Sequence, residues 1–165
     1  MEFRTKVELP AKGPKIQHTD RLMIWGSCFS EHIGNLLAEH KFNCDVNPFG
    51  VLYNPMSIAT SIHCLLKKAL YQKEDLREEQ GGWYSLMHHS TFSSHEVEDC
   101  LLKINQRIAQ GHENLKQADW IIFTWGSSFV YTWKENGEIV GNCHKLSSRL
   151  FERKMVSADE ITAIY

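Results

Sequence analysis

The tightest constraint on the fold is a pair of apolar runs that end in the same way. Leu22-Met23-Ile24-Trp25 is an unbroken apolar tetrad followed by Gly26-Ser27, and the run from Ala118 through Trp120-Ile121-Ile122-Phe123-Thr124-Trp125 is followed by Gly126-Ser127-Ser128. A strand that is apolar at successive positions has both faces covered, as in a parallel sheet wrapped by helices, whereas an antiparallel sheet with one wet face alternates. Two such strands side by side deliver glycine and hydroxyl groups to the carboxyl edge of the sheet, where ligands of open α/β sheets bind. The expected fold class is therefore α/β with a mostly parallel sheet.

Helical spacing supplies the cover. After Ser27, residues Phe29, Ile33, Leu36, Leu37 and His40 recur at one face, with Glu31 near the start and Lys41 at the end, as the helix dipole favours. Asn54-Pro55 reads as an N-cap with proline at the first helical position. Ile58, Ile62, Leu65, Leu66, Ala69 and Leu70 then make a one-sided second helix. Ser93-Ser94-His95-Glu96 has capping-box spacing, and Val97, Leu101, Ile104 and Ile108 mark a third helix that Gly111 is expected to stop. Asn136-Gly137 predicts a β-hairpin over 129–142. Val7-Glu8-Leu9 reads as a short edge strand, and residues 83–89 as a strand or an ordered loop. A second capping box, Ser157 to Glu160, is followed only by 161–165. A helix that short is marginal in water, so residues 1–165 are expected to be the N-terminal portion of a single α/β domain whose sheet is incomplete at the C-terminus. An incomplete sheet exposes an edge, which makes homo-oligomerisation an expectation.

Composition narrows the function classes. With 18 basic against 20 acidic residues, a net charge of −2 and no basic stripe, no nucleic-acid or anionic-membrane partner is expected. No apolar run approaches the roughly 20 residues that span a bilayer, and the N-terminus lacks the apolar core of a signal peptide. Five cysteines without a Cys-x-x-Cys pair read as reduced thiols of a cytoplasmic protein.

The residues able to do chemistry cluster around the two Gly-hydroxyl junctions. Ser27 or Cys28 would stand at a strand-to-helix turn beside free backbone N–H groups suited to an oxyanion. A serine needs a base to take its proton, and the competing reading is that Ser27 merely caps the helix. An apolar neighbourhood raises a thiol pKa, which argues against Cys28. In Asn47-Pro48-Phe49-Gly50-Val51-Leu52-Tyr53-Asn54-Pro55, Gly50 could bring its N–H against a substrate. Turn chemistry explains the same residues. Gly126 and Ser128 are positioned to line the same pocket. His88, His89, His95 and His144 are candidate bases, but no pair has metal-binding spacing on a helix, so no metal or cofactor is expected.

Taken together, Ile24-Trp25-Gly26-Ser27-Cys28-Phe29-Ser30, the 47–55 stretch, His88-His89-Ser90, Phe123-Thr124-Trp125-Gly126-Ser127-Ser128 and Asn142-Cys143-His144-Lys145 resemble the bacterial GSCFA family, which is named for the first of these motifs. The resemblance runs from about residue 20 onward. It implies a relative of the SGNH, or GDSL-like, hydrolases: a three-layer α/β/α, flavodoxin-like fold and serine-based hydrolysis of a small-molecule or carbohydrate ester. By that likeness Ser27 is the nucleophile and its own N–H serves the oxyanion. Gly50 is the second-block glycine. The third block, Gly-x-Asn, falls on Gly126-Ser127-Ser128, so Ser128 stands where an amide is expected. Either Ser128 donates or Asn142 supplies the amide. The Asp-x-x-His of such enzymes has no match after Ser147, so the base and its carboxylate are expected beyond residue 165, with His89 and His144 the in-chain alternatives. Two other readings compete: a non-catalytic module binding a small ligand or glycan, and a metal site built from His88, His89 and His144.

Overall fold

The strand β1 (Arg21–Gly26) leads straight into helix α1 (Cys28–Glu39), and strand β2 (Asn43–Val46) returns beside it. These belong to a computed structural model that describes residues 13–79 and 81–165. The expected strand at Val7–Leu9 lies outside the described residues. Helix α2 (Pro55–Lys67), strands β3 (Arg77–Glu79) and β4 (Gly82–Tyr84), helix α3 (Val97–Lys116), strands β5 (Trp120–Thr124), β6 (Phe129–Trp133), β7 (Ile139–Val140) and β8 (Phe151–Met155), and helix α4 (Ala158–Ile164) follow.

β1 is the middle of a parallel sheet ordered β2-β1-β5, with Ile24 opposite Val46 and Gly26 opposite Thr124. Its two faces meet different partners. Met23 and Trp25 join Ile58 and Leu65 of α2 and Ile104 and Ile108 of α3 in the main core. Leu22 and Ile24, equally buried, point the other way, onto the face where Val46 meets Gly34 of α1. The unbroken apolar run is thus explained by cover on both sides.

The fold is mixed α/β: four helices, this small parallel sheet, an antiparallel β3–β4 pair and an antiparallel sheet ordered β7-β6-β8. The expected hairpin over 129–142 forms as β6–β7, but β8 adds to its other side, Phe129 opposite Met155 and Trp133 opposite Phe151. Only three of the eight described strands are therefore parallel. β8 had no legible signal because its residues 152–155 are all exposed and three of them are charged. Only Phe151 is inside, packed with Tyr84, Leu86 and Val140 in a second, smaller core.

Other differences have local causes. α2 stops at Lys67 because Lys68 turns left-handed (φ 49) and donates its N–H back to the last turn, leaving Ala69 and Leu70 outside the helix. α3 runs through Gly111 to Lys116; a Cβ on Gly111 would lie 2.9 Å from Leu65 Cδ2, so this glycine lets α3 cross α2 closely instead of ending the helix. The capping box at Ser93 does not form: Glu96 is the N-cap and makes no side-chain cap bond. Ser94 is held in a β-bridge, accepting the Trp83 N–H at 2.7 Å and donating its own to the Trp83 carbonyl at 3.1 Å. The Ser157 capping box does form, with the Ser157 N–H donated to Glu160 Oε2 at 2.8 Å and the Glu160 N–H to Ser157 Oγ at 3.2 Å. Tyr165 Oη fastens this short helix to the Pro55 carbonyl at 2.8 Å. Among the described residues no helix is long and apolar enough to cross a membrane.

The helix after Ser27 forms as its spacing predicts, but the face it buries is different. Its buried residues are Ser30 and Gly34, while Phe29 is 60% exposed and Leu36 42%. A Cβ on Gly34 would come within 2.5 Å of Val46 Cγ2. Val46 is β-branched and held in the sheet, so it cannot yield cheaply. Gly34→Ala should therefore destabilise by about 1–3 kcal/mol, despite a helix-propensity gain of about 1 kcal/mol. The check is a urea midpoint that falls at unchanged slope; a midpoint that rises would mean that α1 does not sit this close to the sheet.

Candidate active site

The site is built on one residue without a side chain. Gly26 ends β1 with φ 152, and a Cβ there would lie 2.5 Å from Ser30 Oγ and 2.5 Å from the Thr124 carbonyl oxygen. Its N–H donates to Asn47 Oδ1 at 2.9 Å, and its carbonyl accepts the Leu52 N–H at 3.0 Å. Beneath it Ser30 Oγ and Thr124 Oγ1 form a short hydrogen bond that ties α1 to β5. The turn then places Ser27, partly buried, at the first position beyond the strand.

Ser27 is the N-cap of α1: its Oγ accepts the Phe29 N–H at 3.3 Å, and its backbone is extended. Both readings of this residue thus coexist, a cap and a hydroxyl at the carboxyl edge of the sheet. Cys28 follows as an exposed free thiol. Gly126 lies beside Ser27; a Cβ on Gly126 would be 3.8 Å from Ser27 Cβ and 3.5 Å from Tyr53 Cδ1. The N–H groups of Gly126 and Ser127 both donate to the Tyr53 carbonyl, at 2.9 and 3.1 Å. The two Gly-hydroxyl junctions therefore meet at one edge, as the parallel arrangement requires.

The model of the GSCFA family matches residues 21–165. The chain belongs to the GSCFA family. No curated protein and no solved structure matches it.

In this GSCFA protein the 47–55 motif is a clamp. Asn47, buried and left-handed (φ 46), holds the Gly26 N–H with Oδ1 and receives the Gly50 N–H on its carbonyl at 2.8 Å. Asn adopts that backbone conformation at small cost. Gly50 (φ 81) presses on His89, whose Cβ a side chain at Gly50 would overlap. The Phe49 carbonyl accepts the His89 N–H at 2.9 Å, so the 47–55 and 88–90 motifs are bonded to each other. His89 Nδ1 lies 3.3 Å from both the N–H and Oγ1 of Thr91. Asn142 and His144 are held on the 85–87 segment, with His144 beside His88. The Asn142 N–H goes to the Leu86 carbonyl at 2.8 Å, its Oδ1 accepts the His144 N–H at 2.9 Å, and His144 Nε2 lies 2.8 Å from the Ser85 carbonyl. Burial lowers the His144 pKa. Ser127 Oγ caps Phe129 N–H at 3.0 Å, and the Ser128 carbonyl holds the Val156 N–H at 3.0 Å. His95 caps the Gly81 carbonyl from a distant turn. Among the described residues no group of three His, Cys, Asp or Glu converges as metal ligands.

The structure thus brings Ser27, Gly126, Asn47 and Tyr53 together, and Gly50 with His89. Asn47 is the positioning residue that spacing alone did not single out. The signal was an asparagine directly before proline in a Gly-containing turn. No histidine is hydrogen-bonded to Ser27 Oγ among the described residues.

His88 is the most buried of the histidines. It stacks on Phe49 at 4.2 Å, meets Tyr71 and Phe92 edge-on, and places Nδ1 2.9 Å from Ser85 Oγ, while Nε2 has no partner. Burial, and after it the neighbouring His144, push its pKa down to about 3. The folded state holds His88 neutral while the unfolded chain protonates it near 6.5, so this contribution is complete above pH 6.5 and is lost as pH falls toward 3. Stability should drop by up to about 1.4 kcal/mol per pH unit across that window from this residue alone. His88→Phe should flatten that part of the curve in urea titrations at pH 7, 5.5 and 4; an unchanged slope would show that His88 titrates freely.

Proposed function

We propose that this GSCFA protein is a serine esterase of the SGNH type, with Ser27 as nucleophile, acting on an ester of a small molecule or of an acylated carbohydrate. In that reading the domain is a three-layer α/β/α unit. The observation that carries it is the strand-turn-helix junction at Gly26-Ser27: a hydroxyl on the carboxyl edge of a parallel sheet, at the N-terminus of a 12-residue helix. Ser27 Oγ would attack the acyl carbon, and the N–H groups opening α1 would meet the developing oxyanion, assisted by the helix dipole. A histidine must take the Ser27 proton and return it to the leaving alcohol. Five unpaired thiols suit a reducing compartment such as the cytoplasm.

A second reading, a non-catalytic binding module, is favoured by one observation. The Gly50 and Gly126 N–H groups are already bonded to the Asn47 and Tyr53 carbonyls, and Ser27 Oγ already caps α1. The edge can therefore persist as a rigid pocket without turning anything over.

Because no base is hydrogen-bonded to Ser27 among the described residues, residues 1–165 alone should hydrolyse p-nitrophenyl acetate roughly 10²- to 10⁴-fold more slowly than a form in which a histidine reaches Ser27, the usual worth of a general base. Labelling by a fluorophosphonate should be slow and vanish in Ser27→Ala. Brisk turnover abolished by Ser27→Ala would refute the missing base and direct attention to an internal histidine such as His144. Labelling that survives Ser27→Ala would remove Ser27 as nucleophile.

A further inference from the structure

One cleft among the described residues has a wholly uncharged lining. It lies between the end of β5 and α4, holds about 440 Å³, and is lined by Trp125, Ala158, Ile161, Thr162 and Tyr165, with no charged side chain among them. Trp125 and Tyr165 form its aromatic walls, with ring centroids 5.5 Å apart, and each is about half exposed. Tyr165 is braced from behind by Phe123 at 5.3 Å and by its hydroxyl bond to Pro55. Burying such aromatic surface against water is favourable only if something apolar enters.

Position identifies what enters. Trp125 is covalently next to Gly126, and Gly126 abuts Ser27, with 3.8 Å between their Cβ positions. A group held against Trp125 is thus one residue away from the candidate nucleophile, at the same edge of the sheet. An ester bound with its carbonyl at Ser27 has two arms, and one of them can lie in this cleft. The cleft volume is in the range of small-ligand sites. Three other clefts of similar volume among the described residues are lined by charged residues: Glu79 and Lys145 in one, Arg77 and Glu78 in another, Lys103 and Arg107 in a third.

We propose that the Trp125–α4 cleft is an acyl-binding site, so that the substrates are esters with an unbranched apolar acyl chain of medium length and not simple acetates. That the apolar ligand is an acyl group rests on Ser27 being the nucleophile. The cleft itself does not.

The experiment has a binding arm and a turnover arm. Sodium octanoate is titrated by calorimetry into the wild-type chain, Ser27→Ala, Ile161→Asp and Ala158→Phe, the last of which fills the cleft from an exposed position without burying a charge. Octanoate should bind wild type and Ser27→Ala alike and at least tenfold more weakly to the two cleft variants. Absent binding, or equal affinity in all four, overturns the proposal. So does a concentration-dependent dimer in sedimentation that Ile161→Asp dissolves while octanoate fails to bind, which would give the cleft to a second copy of the chain. In the turnover arm, kcat/KM on p-nitrophenyl esters should rise from acetate to octanoate by about three- to fourfold for each methylene the cleft buries, and the rise should be lost in both cleft variants. A flat chain-length series with Ser27-dependent turnover leaves the nucleophile in place and removes the cleft. Cleft-dependent octanoate binding together with fluorophosphonate labelling that survives Ser27→Ala does the opposite.

Discussion

Everything at the carboxyl edge of the sheet hangs on the backbone of Gly26. Both of its peptide groups are fixed, the N–H by Asn47 Oδ1 and the carbonyl by the Leu52 N–H. The space where a side chain would stand is filled by Ser30 and Thr124. One residue therefore joins four segments: β1, the start of α1, the end of β5 and the 47–55 loop. A hydrogen bond to a buried group is worth little net but leaving the group unmet costs about 1–3 kcal/mol, so these segments move together or not at all. Ser27 inherits its position from that junction, to which its own side chain adds the cap bond from the Phe29 N–H.

The same economy of atoms governs how the helices dock. α1 reaches the sheet through Ser30 and Gly34, and α3 reaches α2 through Gly111. Small residues permit close backbone approach, and packed interiors tolerate no overlap. The consequence appears on the opposite side of α1, where Phe29 and Leu36 stand in solvent although they carry the helical apolar period. β5 shows a related feature: among the described strands it pairs with β1 alone, and Ile121 on it is about half exposed. Exposed apolar residues thus stand on α1 and at the β5 edge, and also at and just beyond the end of α2 (Leu66, Leu70), on α3 (Leu102) and on β8 (Met155).

Much of this was legible in the sequence, and the limits have physical causes. The parallel pairing of the two Gly-terminated runs, the Asn54-Pro55 helix start and the Asn136-Gly137 turn depend on local chemistry, and each is present. Helix spacing established that α1 exists but not which face it buries, because the buried face is defined by Gly34 and Ser30, which carry no hydrophobic signal. Gly111 predicts a stop because glycine is a poor helix former; tertiary packing against Leu65 overrides that preference. Ser94 was drawn from capping to a bridge with Trp83, a partner eleven residues away. β8 is invisible to any periodicity argument, since its exposed residues have no alternation to detect. At the site, Ser27, Gly50 and Gly126 stood out as motif residues, whereas Asn47 acts through a side-chain bond to Gly26 that only the fold creates.

Hydrogen-bond occupancy also decides which groups remain for chemistry at this edge. The Gly50 N–H is taken by the Asn47 carbonyl, and the Gly126 and Ser127 N–H groups by the Tyr53 carbonyl. An oxyanion cannot use those donors without dismantling the turns that shape the pocket. Asn142, the candidate substitute for a third-block amide, is anchored to the 85–87 segment through its Oδ1 and its N–H, bonded to His144 and Leu86, which leaves its Nδ2 as the donor it could offer. What is left at the junction itself is the first turn of α1, where the Phe29 N–H is held by Ser27 Oγ but the neighbouring N–H groups have no helical acceptor by construction, and which carries the positive end of the helix dipole. Stabilisation of negative charge here therefore falls to the residues that open α1, Ser27 foremost. The glycines on either side act as spacers that let the chain come close, Gly50 against His89 and Gly126 against Ser27 and Tyr53. On this view the family motifs divide into one that would do chemistry, Gly26-Ser27, and several that hold it rigidly in place.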